Sequence, residues 1–180
     1  ESLPDYILVV NAEYTTRTVD YRDRSTAVLW GDGTSAAVVS ARKPSRMRIT
    51  HTLLHSDPAG WAKVVIKAGG HFGQNGPAVQ AFAIRKTGEI IRELRGHLEG
   101  PERWFIGHQA NLLMLRSVCD RAGIPAERHL YNVDRFGNCG AAGAPGVLSQ
   151  NWDRFSDGDR IILAVVGSGL TWGGVALRMA

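Results

Sequence analysis

Cysteine is scarce in this sequence. Cys119 and Cys139 are the only two in 180 residues, too few for a disulfide framework, so a reducing, cytoplasmic location is the expectation. Long apolar runs are missing too. A stretch such as Ile161–Gly167 falls far short of the ~20 residues that span a bilayer. The opening residues do not combine a charged start, an apolar stretch and a small-residue cleavage site, so no signal peptide is expected. Lys and Arg nowhere run to five in a row, and the net charge is only +4. That balance leans slightly toward an anionic partner and makes no case for nucleic acid or a membrane surface. No Gly140-to-Gly146 spacing gives the G-x-G-x-x-G of a dinucleotide fold, and the six His and two Cys have no metal-ligand spacing. No metal or bound cofactor is expected.

What is present reads as a globular chain. Hydrophobic residues make up 44% and charged residues 21%, an ordinary balance for a packed domain. Tyr6–Val10 predicts a buried strand. Ala27–Trp30 and Ala36–Ser40 read as short strands about the Gly31-Asp32-Gly33 turn, and Met47–Leu54 as another strand. His71–Pro77 reads as a glycine-rich loop. Val79, Phe82, Ala83, Ile90, Ile91, Leu94 and Leu98 recur at helical spacing, which predicts an amphipathic helix over 77–98. Then come a strand at Trp104–Gly107, a helix at Gln109–Ala122 stopped by Gly123, a strand at Tyr131–Val133, and a helix running to about Trp152. Arg160–Val166 and Thr171–Met179 close the chain as strands. Strands alternating with helices make this an α/β layered protein.

Three segments are placed where chemistry is done. His108 follows the apolar strand Trp104–Gly107 and opens a helix, at the sheet edge where open α/β folds build sites. Two roles fit it: a capping or core histidine, or an Nε2–H donor to a reacting oxygen. Asn138 follows Gly137 and leads into the small residues Cys139–Gly143. It can cap a helix, or offer its amide N–H to a substrate carbonyl. Gly167-Ser168-Gly169 fails the G-x-S-x-G pattern of a serine nucleophile, since Val166 and Leu170 flank it. It reads as a plain hairpin or as a loop offering backbone N–H groups to an oxyanion. Cys139 reads as a small buried residue. His51 and His55, four apart on a predicted strand, make no helical metal pair.

Together the segments are more specific than any one. His108-Gln109-Ala110-Asn111, Asn132-Val133-Asp134-Arg135-Phe136-Gly137-Asn138 and Gly167-Ser168-Gly169-Leu170-Thr171-Trp172-Gly173 occur in that order. The sequence resembles the C-terminal half of β-ketoacyl-acyl-carrier-protein synthase III, a thiolase-fold condensing enzyme. Asp23-Arg24-Ser25-Thr26 followed by Gly31-Asp32-Gly33 is similar to the family segment just after its nucleophile region. The resemblance covers nearly the whole chain. It implies residues 1–43 as the tail of the N-terminal thiolase-like half, contributing its last strands. It implies residues 44–180 as the C-terminal half, a mixed five-stranded sheet with helices on both faces.

The resemblance also implies a Cys-His-Asn site of which this chain carries His108 and Asn138, with the nucleophilic Cys falling before Glu1. His108 and Asn138 would stabilise the enolate formed when malonyl-carrier protein loses carbon dioxide. The Ser168 N–H would serve an oxyanion hole. Arg24, Asn75, Gly76, Asn111 and Arg116 would contact coenzyme A or the acyl carrier protein. The implied substrates are coenzyme A and carrier-protein thioesters, in fatty acid biosynthesis. The implied partners are a missing N-terminal half or complementary subunit and, for the complete enzyme, a second copy in a homodimer. A polyketide- or quinolone-type condensing enzyme and a non-catalytic thiolase-fold subunit remain as alternatives. Four positions depart from the commoner pattern, one of them Val166, where a bulky aromatic precedes the Gly-rich loop in the family. Leu113 stands where a docking Arg is frequent, Ser168 replaces the middle Gly of the loop, and Pro77 takes the place of an Asn near the pantetheine arm.

Overall fold

In a computed structural model that describes residues 4–180, nine strands and four α-helices follow one another. The main sheet has the order β3-β9-β8-β6-β7, built from Met47–Ser56 (β3), Trp104–Gly107 (β6), His129–Leu130 (β7), Arg160–Gly167 (β8) and Thr171–Met179 (β9). β6 runs parallel to β7 and β8, whereas β9 is antiparallel to both β8 and β3. The sheet is therefore mixed, as expected. Two small antiparallel ladders flank it: Ile7–Glu13 (β1) with Gly33–Val39 (β2), and Val64–Ile66 (β4) with Phe72–Gln74 (β5).

Alternation along the strands divides the core between two faces. Phe105, Ile162, Ala164 and Ala176 point toward Gly76–Arg95 (α1) and Leu112–Ala122 (α2). Trp104, Ile106, Ile161 and Leu177 point the other way, toward Gly143–Gln150 (α4). Period-two burial of this kind lets one sheet serve two helical layers. α1 forms as its sequence dictates. Asn75 caps it by accepting from Ala78 N at 3.2 Å, Pro77 sits in its first turn, and Phe82, Ala83, Ile90, Ile91 and Leu94 are buried. α2 is capped by Asn111, which accepts from Met114 N at 3.0 Å, and it stops at Gly123, whose φ of 65° is left-handed.

Several expectations need correction. Ala27–Trp30 is no strand. Asp23 accepts from Ser25 N, and the N–H groups of Thr26, Ala27 and Leu29 all bond within the turn, so these are not available to a ladder; Trp30 makes one isolated bridge, to Asn138. His71–Pro77 contains β5 rather than loop alone. The 77–98 helix ends at Arg95, where Arg95 turns to hold Glu102 and the Ala122 carbonyl. Tyr131–Val133 is not a strand either. β7 ends at Leu130, because the N–H groups of Asn132 and Val133 are both taken by Gln109 Oε1 (2.9 and 3.1 Å), and a short helix, Val133–Phe136 (α3), begins there.

The β1–β2 ladder is different in character. Ile7, Leu8, Val9, Val10 and Val38 are exposed, Leu8 and Val38 to about two-thirds, so apolar side chains on both faces of the ladder meet solvent.

Packing in the sheet leaves no room for a side chain at Gly174. A Cβ there would lie 2.6 Å from Ile90 Cγ2 and 2.8 Å from the Leu163 carbonyl oxygen. Gly174→Ala is expected to destabilise the chain by about 1–3 kcal/mol, the usual cost of overpacking. Urea unfolding would register this as a lower midpoint at unchanged slope.

Candidate active site

Three loops meet at one end of the sheet, each fixed by its own backbone bonds. The first leaves β6 at Gly107 and carries His108. Gln109, fully buried, locks it: its Nε2 donates to the Gly107 carbonyl at 2.7 Å, while its Oε1 receives the Asn132 and Val133 N–H groups. One amide thus ties the β6–α2 loop to the β7–α3 loop. Gly143 is glycine because a Cβ there would sit 2.9 Å from Gln109 Cβ.

The second loop follows α3. Gly137 takes φ of 69°, and Asn138 is then spliced into the segment after Thr26. Its N–H donates to the Leu29 carbonyl at 2.8 Å, and its carbonyl accepts from Gly31 N at 3.1 Å. The Asn138 side chain is buried, and its Oδ1 accepts from Gly140 N at 3.1 Å. This bond fixes which way the amide faces. It leaves Nδ2 without a hydrogen-bond partner among the described residues. The third loop, Gly167–Gly169, joins β8 to β9. Leu170, just after it, pairs with Asp57 through both backbone groups (2.8 and 2.9 Å).

His108, Asn138 and Ser168 all line one cavity of about 840 Å³, walled largely by apolar side chains that include Trp30, Phe72, Phe82, Met114 and Trp172. Glu13 and Thr15, from the end of β1 and the turn beyond it, also reach this wall. The His108 ring makes no hydrogen bond among the described residues. Burial in the apolar wall pushes its pKa down from 6.5 to about 4, partly opposed by the negative charge of Glu13. At neutral pH the ring is uncharged, with one N–H free to donate. Two neutral donors with no internal acceptor facing a largely apolar cavity can stabilise an oxygen that gains negative charge.

The remaining candidates lie elsewhere. Arg24 is exposed on the turn that Asp23 organises. Asn75 spends its Oδ1 on the α1 cap, and Gly76 opens that helix; Gln74 and Val79, on either side of them, line the cavity instead. Asn111 is the α2 cap, one residue beyond the lining residue Ala110. Arg116 is exposed on α2, where its charge reinforces the effect of burial in lowering the His129 pKa. Neither cysteine lines the cavity. Cys139 Sγ points at the Asp32 and Phe136 carbonyls, both at 3.4 Å, and burial, chiefly, raises its pKa. Cys119 lies in the α1–α2 core, where burial pushes its pKa up to about 11. Thiols of this kind are poor nucleophiles. Among the described residues no group of three or more His, Cys, Asp or Glu side chains is placed to hold a metal ion, and no helix is long and apolar enough to cross a membrane.

Glu13 and Gln109 escaped the sequence reading. Gln109 was visible as part of the His108-Gln109-Ala110-Asn111 run. Glu13 gave no signal, since its contact spans 128 positions.

Two family models match the sequence: 3-oxoacyl-[acyl-carrier-protein] synthase III over residues 3–58, and the C-terminal domain of the same enzyme over residues 102–179. The chain belongs to the 3-oxoacyl-[acyl-carrier-protein] synthase III family. It is 35% identical to β-ketoacyl-[acyl-carrier-protein] synthase III 2 of Deinococcus radiodurans and 36% identical to the Staphylococcus saprophyticus synthase III, over 95% and 96% of its own length. It spans 55% and 56% of the length of those relatives. Its fold is the thiolase-like fold of solved synthase III structures. The Aquifex aeolicus enzyme superposes with a TM-score of 0.89 at 31% identity, covering 97% of this chain and 58% of that one. The Thermus thermophilus enzyme gives 0.87 at 34%, covering 98% and 60%. The priming β-ketosynthase of the R1128 polyketide pathway gives 0.84 at 25%, covering 97% and 57%.

Acid stability should follow from the two depressed histidines. Burial lowers His108 and His129 from 6.5 to about 4. Between those values the unfolded chain binds protons that the folded chain refuses, so stability is full above about pH 6.5 and is lost as pH falls toward 4. Urea midpoints measured across that window should drop steadily. His129→Phe, which keeps a ring between Phe105 and Tyr131, should drop less; an unchanged slope would contradict the assignment for His129.

Proposed function

We propose that this chain supplies the decarboxylating part of a synthase III that performs a Claisen condensation between an acyl primer and malonyl-carrier protein in fatty acid biosynthesis. The nucleophilic thiol would come from a segment outside it. The observation that carries this reading is the convergence of His108, Asn138 and the Ser168 loop on one cavity, with both side-chain donors unspent.

The chemistry balances on these groups. An acyl primer waits as a thioester on the external thiol. Malonyl-carrier protein enters, and the bond to its carboxylate breaks. Carbon dioxide leaves, and the electron pair moves onto the thioester oxygen as an enolate. The neutral His108 N–H and Asn138 Nδ2–H both donate to that oxygen, each worth ~3 kcal/mol of barrier. The enolate carbon attacks the acyl carbonyl and a carbon–carbon bond forms. The tetrahedral oxyanion, served by the Ser168 N–H, collapses and expels the thiolate. His108 remains neutral throughout, which suits the burial that keeps it uncharged. The mostly apolar cavity wall lowers the polarity around these donors, which strengthens their hold on developing charge.

Around this core the reading assigns residues 1–43 to the tail of a first thiolase-like half and 44–180 to the second half. The exposed apolar ladder β1–β2 supports a covering segment, since such edges and patches invite a partner. Arg24 would meet the adenine end of coenzyme A by stacking and phosphate pairing. Asn75, Gly76, Asn111 and Arg116 would border the pantetheine arm or the docked carrier protein. A homodimer of the complete enzyme and a cytoplasmic location belong to the same reading. A polyketide-priming condensing enzyme is the second reading, favoured only by the likeness to the R1128 ketosynthase.

Reconstitution tests this. The chain mixed with a thiol-bearing first half should condense acyl primer with malonyl-carrier protein, and either part alone should not. Peptide mapping should place the acyl group on the added thiol, never on Cys119 or Cys139. His108→Ala in the complex should slow decarboxylation by about 10²–10³, the scale of one lost oxyanion donor. Full condensation by the chain alone, or an acyl group on Cys139, would overturn the proposal.

A further inference from the structure

Among the described residues Glu13 is the one acidic side chain on the cavity wall, and neither the motifs nor the donor chemistry uses it. It ends β1, paired with Gly33 of β2, and so belongs to a different sheet from the strand that leads to His108. Its Oε1 accepts from Ala141 N at 2.9 Å across 128 positions of sequence, and Thr15 Oγ1 stands 3.4 Å from its Oε2. The neighbouring N–H, that of Gly140, is the one that holds Asn138 Oδ1. Two successive backbone donors at the head of one turn are therefore shared between the Glu13 carboxylate and the Asn138 amide. The turn is shaped for this. Gly140 has φ of 52°, and a Cβ there would lie 2.6–2.8 Å from the Glu13 carboxyl atoms. Only glycine both adopts that conformation without strain and leaves room for the carboxylate. A carboxylate at the start of the Gly140–Ala142 turn, which runs on into α4, also answers unpaired N–H groups at a helix start.

We propose that Glu13 is a positioning residue for the reaction: its carboxylate holds the Gly140–Ala142 turn so that Asn138 keeps its oxygen on Gly140 and its amide NH2 toward the cavity. The donor geometry of the second-half loop is thereby set by a side chain from the β1–β2 ladder. This deepens the decarboxylation reading above and rests on it, but its structural half is measurable without activity. Loss of the tether frees the turn, and a donor displaced by about 1 Å costs on the order of 10²-fold in rate. The negative charge of Glu13 also acts on His108, in the direction that favours the protonated ring.

The test compares Glu13→Ala with Glu13→Gln, which keeps an acceptor oxygen without the charge. In 15N-labelled chain, Glu13→Ala should speed amide exchange at Gly140 and Ala141 at least ten-fold and broaden the Asn138 side-chain NH2 signals, and Glu13→Gln should restore most of both. In the reconstituted complex Glu13→Ala should lower kcat for decarboxylation about 10- to 100-fold with KM nearly unchanged, and Glu13→Gln should recover most of that loss while moving the acid limb of the pH profile lower. Unchanged exchange and NH2 signals in folded Glu13→Ala would overturn the positioning role. So would altered exchange with kcat intact in a complex whose His108→Ala variant is slow. If the wild-type complex itself does not decarboxylate, the functional reading fails, and the exchange data still judge the tether.

Discussion

Asn138 is gripped at both backbone groups by the turn that precedes β2, through Leu29 on one side and Gly31 on the other. This splice joins the β1–β2 ladder to the α3–α4 loop, and the rest of the site is arranged around it. Glycine is required on both sides. A Cβ on Gly31 would strike the Phe136 carbonyl oxygen, while one on Gly137 would crowd the Leu29–Gly31 backbone at 3.2 Å, and Gly137 has positive φ as well. With the backbone fixed, the side chain has one local acceptor duty, toward Gly140, and its NH2 is left over. A donor held by its backbone costs little reorganisation when charge develops opposite it, which is how preorganised sites gain rate.

His108 reaches the same cavity by another route. The buried strand β6 delivers it, and the Gln109 amide stops the chain from continuing as strand or turning early into helix. The apolar wall then removes the charge from the ring. An imidazolium there would be the stronger donor at the outset, but the negative charge of Glu13 compensates it only in part, and burial lowers the pKa to about 4. The two donors are thus neutral for different reasons, one by chemistry and one by environment.

Much of this was legible in the sequence. The main-sheet strands β3, β6, β8 and β9 and both long helices follow from apolar periodicity, although α2 starts at Leu112 rather than Gln109, with Asn111 as its cap. The resemblance carried by the three loop motifs implied one site for His108, Asn138 and Ser168, and all three line the same cavity. What was not legible depends on partners far away in sequence. The Tyr131–Val133 run has strand character, but Gln109 takes the N–H groups a ladder would need. Ala27–Trp30 is apolar and short, but the turn takes the N–H groups of Ala27 and Leu29. Glu13 is an ordinary acidic residue at a strand end until the fold sets it against Ala141. Tyr6–Val10 reads as a buried strand because composition records apolarity, whereas Ile7, Leu8, Val9 and Val10 are exposed in this chain.

The central claim is that one oxygen receives both donors. A crystal structure of the chain, paired with its complementary segment and bound to a non-hydrolysable malonyl-thioester analogue, tests it directly. The account predicts the thioester oxygen at hydrogen-bond distance, about 2.7–3.2 Å, from both a His108 ring nitrogen and Asn138 Nδ2, with Asn138 Oδ1 still on Gly140 N. An analogue whose oxygen meets only one of the two, or an Asn138 amide turned over with its oxygen in the cavity, would contradict it.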